Sequence, residues 1–198
     1  MSFAGFQIPK PSTVYLKQYR KEVDVCIINN ISLVGSADIS TTVDGMAYHW
    51  RVFLQVKEPD ATEPTMKAVI LNMIPGADAV TGVLMISSVD VPAITGDKVE
   101  YSIQPSEEIT VGKLREYITD NDFDKYRFDD TGSGCRWWCA IVLGHLEKKL
   151  RVIPAGAYTE FERKVEALFK TVPSGRIPMP IRKGEFYGSN RPDNIFTE

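Results

Sequence analysis

The stretch MAYHWRVFLQV, residues 46–56, alternates between two kinds of side chain. Tyr48, Trp50, Val52, Leu54 and Val56 fall on one face, and His49, Arg51, Phe53 and Gln55 on the other. A period of two identifies a half-buried strand, because successive side chains of extended backbone point to opposite sides. Its neighbours read the same way. VCIINNISLV (25–34) is rich in β-branched residues and ends at Gly35-Ser36. EPDATEPT (58–65) is turn material before the apolar run 66–74, which Pro75-Gly76 closes. Residues 83–91 and 98–103 supply two more short strands. The spacing predicts an antiparallel meander of about five strands.

Beyond residue 110 the period changes. Residues 111–118 have helical spacing, with Thr110 as N-cap. YRFDDTGSG (126–134) reads as a polar, glycine-bearing loop. The strongest helix is 135–150, where Cys139, Val142, Leu143, Leu146 and Leu150 form one apolar stripe. A second amphipathic helix covers 159–171, capped by Thr159, buried through Phe161, Val165, Leu168 and Phe169, and stopped by Pro173. The fold class expected is α+β: an antiparallel sheet followed by two or three helices packed on it. Residues 1–20 read as an arm, 21–173 as a single domain, and 174–198 as an extended tail with one hydrophobic anchor at Phe186-Tyr187.

Composition narrows the function classes. The 198 residues are 43% hydrophobic and 25% charged, enough to bury a core without disulfide staples. A net charge of −3 argues against nucleic acid as partner, and the absence of a long apolar run argues against a membrane span. Residues 1–17 lack an apolar signal core, and three cysteines (Cys26, Cys135, Cys139) are too few for a disulfide framework, so a reducing cytoplasmic setting is expected. There are only two histidines, His49 and His145.

The junction SGCRWWC (133–139) carries the chemistry. A glycine-rich loop delivers Cys135 to the first turn of a long helix, where unpaired N–H groups and the dipole favour a thiolate and can stabilise an oxyanion. A thiolate nucleophile needs a base. His145 is ten residues along the same helix, roughly 15 Å of rise from Cys135, and reads as helix surface beside Glu147, Lys148 and Lys149. His49 is left as the base. If residues 58–65 close a symmetric hairpin, Asn72 shares the His49 face and becomes the group that orients the imidazole. Arg51, Arg136, Trp137 and Trp138 are candidates to contact substrate. The adjacent tryptophans diverge by about 100°, so one is expected in the core and the other beside a pocket. Cys26 and Cys139 read as core.

His49-Trp50, then Asn72, then Gly134-Cys135 with its tryptophans resembles the circularly permuted branch of the papain-like superfamily, the lecithin:retinol acyltransferase-like thiol enzymes. In that branch the histidine strand precedes the cysteine helix. The resemblance implies a permuted papain-like fold and acyl transfer through a thioester at Cys135, on a small metabolite or peptide-like substrate. The pieces HWRVFL, VILNM, YRFDDTGSGCRWWC and VLGHLE also resemble an uncharacterised family of fungal proteins, which implies no activity.

Two other classes stay open: a non-catalytic ligand- or protein-binding module, and a cofactor-free biosynthetic cyclase or isomerase that uses His49 as acid and base. No cofactor and no metal are expected. Cys135 and Cys139 lack further ligands at metal-binding spacing, and NDFDKYRFDD (121–130) lacks the glycine and terminal glutamate of a calcium loop. Nothing in the sequence speaks to oligomeric state.

Overall fold

The computed structural model describes residues 13–36, 41–42, 45–46, 48–58, 67–93, 98–170 and 183–196. Its strands are β1 (Val14–Lys17), β2 (Ile27–Ser36), β3 (Thr41–Thr42), β4 (Gly45–Met46), β5 (His49–Lys57), β6 (Ala68–Pro75), β7 (Gly82–Val89), β8 (Lys98–Ile103), β9 (Tyr126–Arg127) and β10 (Glu185–Phe186). The helices are α1 (Val111–Asp120), α2 (Cys135–Lys148) and α3 (Ala157–Lys170), with 3-10 turns at Lys21–Val25 and Pro192–Phe196. The main sheet has six strands in the order β1-β7-β6-β5-β2-β8. The class is α+β, as the alternation implies.

The alternating strand sits in the interior of this sheet because one of its faces is apolar throughout. Trp50, Val52, Leu54 and Val56 join β2, β6, β7 and all three helices in one buried cluster. The other face forms a smaller cluster around Val34, Phe53 and Ala68, with Ile70 and Val89 packed on it. Gly35 is required where β2 crosses Trp50: a Cβ there would lie 2.9 Å from the indole ring. Beneath that tryptophan α3 docks edge-on through Phe161, the ring centroids 5.5 Å apart at 84°.

Five details differ from the sequence reading. The sheet is not a simple meander, because β2 lies between β5 and β8. The arm is in part a sixth strand: β1 runs parallel to β7, Val14 opposite Leu84, an edge pairing that leaves no mark in local periodicity. Residues 1–12 lie outside the described set. Helix α3 begins at Ala157, two residues before Thr159; its first amides are held by the Glu147 carboxylate of α2, which accepts from Gly156 N–H (2.9 Å) and Tyr158 N–H (2.8 Å). Within the tail, Phe186 is fully buried and pairs with Tyr126, whereas Tyr187 is exposed beneath the Arg127 guanidinium.

The fifth concerns His145, which is 7% exposed and not on the helix surface. Its Nε2–H donates to the Pro192 carbonyl (2.8 Å), and Nδ1 accepts from the Tyr117 hydroxyl (2.7 Å). It thus joins α2, α1 and the C-terminal turn. Burial lowers its pKa below the ordinary histidine value, the Pro192 carbonyl opposes that, and the Lys149 charge adds to the lowering. An unfolded histidine titrates near 6.5. The unfolded chain therefore takes up this proton first, and the stability contributed by neutral His145 is complete above about pH 6.5 and lost as the pH falls through the lower folded value. The urea midpoint should drop more steeply from pH 7.5 to 5.5 in the wild type than in His145→Gln. Equal acid slopes would overturn this assignment.

Candidate active site at a break in the sheet

Strands β5 and β6 form the hairpin expected from residues 58–65, with Val52 opposite Leu71 and Gln55 opposite Ala68. The Val56 amide donates to the Lys67 carbonyl (3.1 Å), so the even-numbered residues of β5 turn their backbone groups toward β6. The ladder stops at Val52–Leu71. In a continued ladder the Trp50 N–H would meet the Met73 carbonyl, and the Tyr48 carbonyl would meet the nitrogen of Pro75. Proline has no N–H to give.

Cys135 fills this break. Helix α2 presents it from the core side, and Sγ accepts the Trp50 N–H at 3.4 Å while the S–H points to the Tyr48 carbonyl at 3.9 Å. Those groups flank His49 on both sides. The sulfur is therefore no more than about 6 Å from the His49 Cα, one peptide away from the amide it accepts.

His49 and Asn72 span the same break on the face away from the helices. Their side chains meet, His49 Nε2 lying 2.5 Å from Asn72 Oδ1. The side-chain parity expected from the hairpin accounts for this: Asn72 falls on the face of Ala68 and Ile70, and His49 on that of Phe53. With a carbonyl oxygen as partner, Nε2 carries the hydrogen and Nδ1 the basic lone pair. Arg51 is two residues along the same face, half-buried, and donates to the Ser36 hydroxyl.

The thiol is not poised as a thiolate. Burial pushes the Cys135 pKa up, and the Trp50 and Arg136 amides and the Arg51 charge only partly offset this. The helix N-terminus does aim amides at the sulfur, but desolvation outweighs them once the sulfur is plugged into the sheet. Cys139 is sealed in the core and raised further, and Cys26 is buried as expected.

The remaining candidates disperse. Arg136 is engaged by Glu162 of α3 at 2.8 Å. Trp137 is 7% exposed, with the Lys183 ammonium 4.3 Å above its ring. Trp138 is wholly buried and donates its indole N–H to the Phe123 carbonyl (2.8 Å), so it belongs to the core. In the acidic loop, Asp129 accepts from the Thr131 and Ser133 amides, while Asp124 is buried against Thr13 and Lys125. Among the described residues no group of three or more His, Cys, Asp or Glu is placed to hold a metal ion. No helix of the described residues is long and apolar enough to cross a membrane. Ser36 and Pro75 were missed from sequence. Pro75 was legible in principle, since the hairpin register sets it opposite Tyr48.

Together these features define an α+β protein with helices on one sheet face and a His–Asn pair on the other, at a ladder break plugged by a cysteine. The chain belongs to the family described as a domain of unknown function (DUF7770), whose model matches residues 31–187. No curated protein and no solved structure matches the chain.

Proposed function

We propose that this protein is a cofactor-free acid–base catalyst, with His49 as the proton-transfer group, acting on a small carbonyl-bearing metabolite. The observation that carries this reading is the 2.5 Å contact between His49 Nε2 and Asn72 Oδ1. Asn72 holds the tautomer that places the basic lone pair on Nδ1, and it continues to accept from Nε2–H when the ring becomes imidazolium. A proton leaves the carbon next to the substrate carbonyl for Nδ1, and the electron pair of the C–H bond passes into an enolate. Arg51, about 7 Å along the same strand face, supplies N–H donors for the developing enolate oxygen. Return of the proton to the γ-carbon of a conjugated dienolate gives isomerisation; attack of the enolate carbon on a second carbonyl, whose oxygen then takes the proton back from Nδ1, gives cyclisation.

The test is deuterium wash-in. The protein is incubated in D2O with pooled 1,3-dicarbonyl and β-keto acid compounds, and mass spectrometry reads exchange at carbon. Exchange above the buffer rate that falls at least 100-fold in His49→Ala is the expected result, in line with a positioned general base. The reading is sunk if no compound exchanges, or if His49→Ala exchanges as fast as the wild type.

A second reading has one specific observation in its favour, the closeness of the Cys135 sulfur to the His49 backbone. In it Cys135 is the nucleophile of a permuted papain-like acyl-transfer enzyme, and His49 takes the S–H proton during attack, because the resting thiol is neutral. That reading requires inactivation by iodoacetamide and a thioester adduct on Cys135, whereas proton transfer at His49 requires neither.

A further inference from the structure

We infer that Cys135 is a positioning residue for His49, serving as the hydrogen-bond partner that β6 withholds from the backbone on either side of that histidine. The inference rests on the acid–base reading of His49. It is carried by the way the β5–β6 ladder ends. Pairing stops at Val52–Leu71, and the next two ladder partners toward the strand start would be Met73 for Trp50 and Pro75 for Tyr48. Pro75 has no N–H, so the Tyr48 carbonyl cannot be served by the ladder. The sulfur stands where both partners are wanted: it accepts from the Trp50 amide and directs its S–H to the Tyr48 carbonyl.

This arrangement couples two faces of the molecule. The sulfur belongs to the first residue of α2, whose next turns are sealed in the core by Trp138, Cys139 and Ala140, all 0% exposed. The position of the His49 peptide is therefore set by a rigid helix on the opposite side of the sheet. The imidazole end is set independently, by Asn72. With both ends held, Nδ1 points in one direction. Without the sulfur, the start of β5 loses the partner that stands in for the ladder, and the peptide that carries His49 is less firmly held.

Full-length protein labelled with 15N on histidine tests this without any substrate, because Nδ1 and Nε2 shifts report tautomer and hydrogen bonding. Cys135→Val keeps the bulk and removes both hydrogen bonds; Cys135→Ser keeps a group that accepts and donates. In Cys135→Val the His49 Nε2 resonance should move by several ppm toward the tautomer average, with wash-in reduced at least tenfold. In Cys135→Ser the tautomer signature should persist and wash-in should stay within about threefold. His145 is the internal control, and its shifts should not move in either variant. Unmoved His49 shifts in Cys135→Val would overturn the inference, as would equal disturbance in the two variants. If the wild type shows no wash-in yet the histidine shifts behave as stated, the positioning role stands and the acid–base reading falls. Complete loss of an iodoacetamide-sensitive acyl transfer in Cys135→Ser, with His49 shifts unmoved, would make the cysteine a nucleophile instead.

Discussion

Trp138→Ala should lower the stability of the protein by about 3–5 kcal/mol, the range found when a buried aromatic is cut to alanine. The side chain is fully buried, so truncation leaves a void among residues of α2 and the segment following α1. It also removes the indole N–H that serves the Phe123 carbonyl, leaving that buried acceptor unsatisfied. Domains commonly hold about 5–15 kcal/mol in total, so a large share of the stability goes with this one residue. Urea unfolding followed by circular dichroism reads the effect as a fall in the midpoint at unchanged slope. A loss under 1 kcal/mol would mean that the tryptophan is not the packing centre of the helix layer. Because the same helix carries Cys135 at its start, Trp138→Ala should also broaden the histidine resonances of His49.

Gly134→Ala should cost about 3 kcal/mol or more, by a different route. Gly134 caps α2 with φ of 140°, in the region that side chains avoid, at a strain cost of about 1–3 kcal/mol. A Cβ there would also stand 2.6 Å from the Tyr126 hydroxyl. That hydroxyl is a buried fastener: it donates to the Gly134 carbonyl (2.8 Å) and accepts from the Gly184 amide (3.0 Å), tying the helix start to the C-terminal strand. Pushing the ring away orphans one or both partners, each worth about 1–3 kcal/mol when buried. Tyr126→Phe separates the contributions. It should lose the hydroxyl bonds without the backbone strain and so cost less than Gly134→Ala; the opposite ranking would sink this account.

The outcome at the site follows the same division. The His49–Asn72 contact was legible from the alternation of residues 46–56 and the turn 58–65, because antiparallel pairing preserves side-chain parity and one buried face pins the register. The buried positions of Cys26 and Cys139 were legible for a similar reason, since their neighbours are apolar. His145 was not. Its sequence neighbours Glu147, Lys148 and Lys149 look like a solvated helix end, but Tyr117, Phe123 and Pro192, the last 47 residues away, close around it. The protonation of Cys135 also escaped a local reading. A helix N-terminus favours a thiolate, but at Cys135 desolvation outweighs the amides aimed at the sulfur and raises its pKa.

The sequence by itself determined which side chains share a face. Periods of 2 and 3.6 are properties of the backbone and hold wherever the strand or helix finally packs. It thereby determined the α+β class and, once the β5–β6 register is given, the shared face of His49 and Asn72. Helix α2, by contrast, is buried on all sides from Trp137 to Leu146 and not along one stripe. The tertiary structure alone decided what each face meets. It placed β1 parallel to β7, laid the C-terminal segment over His145, and drove Cys135 into the gap that Pro75 leaves in the ladder. These contacts join residues far apart in the chain, and the energies that select them come from burial and from hydrogen bonds that no local pattern encodes.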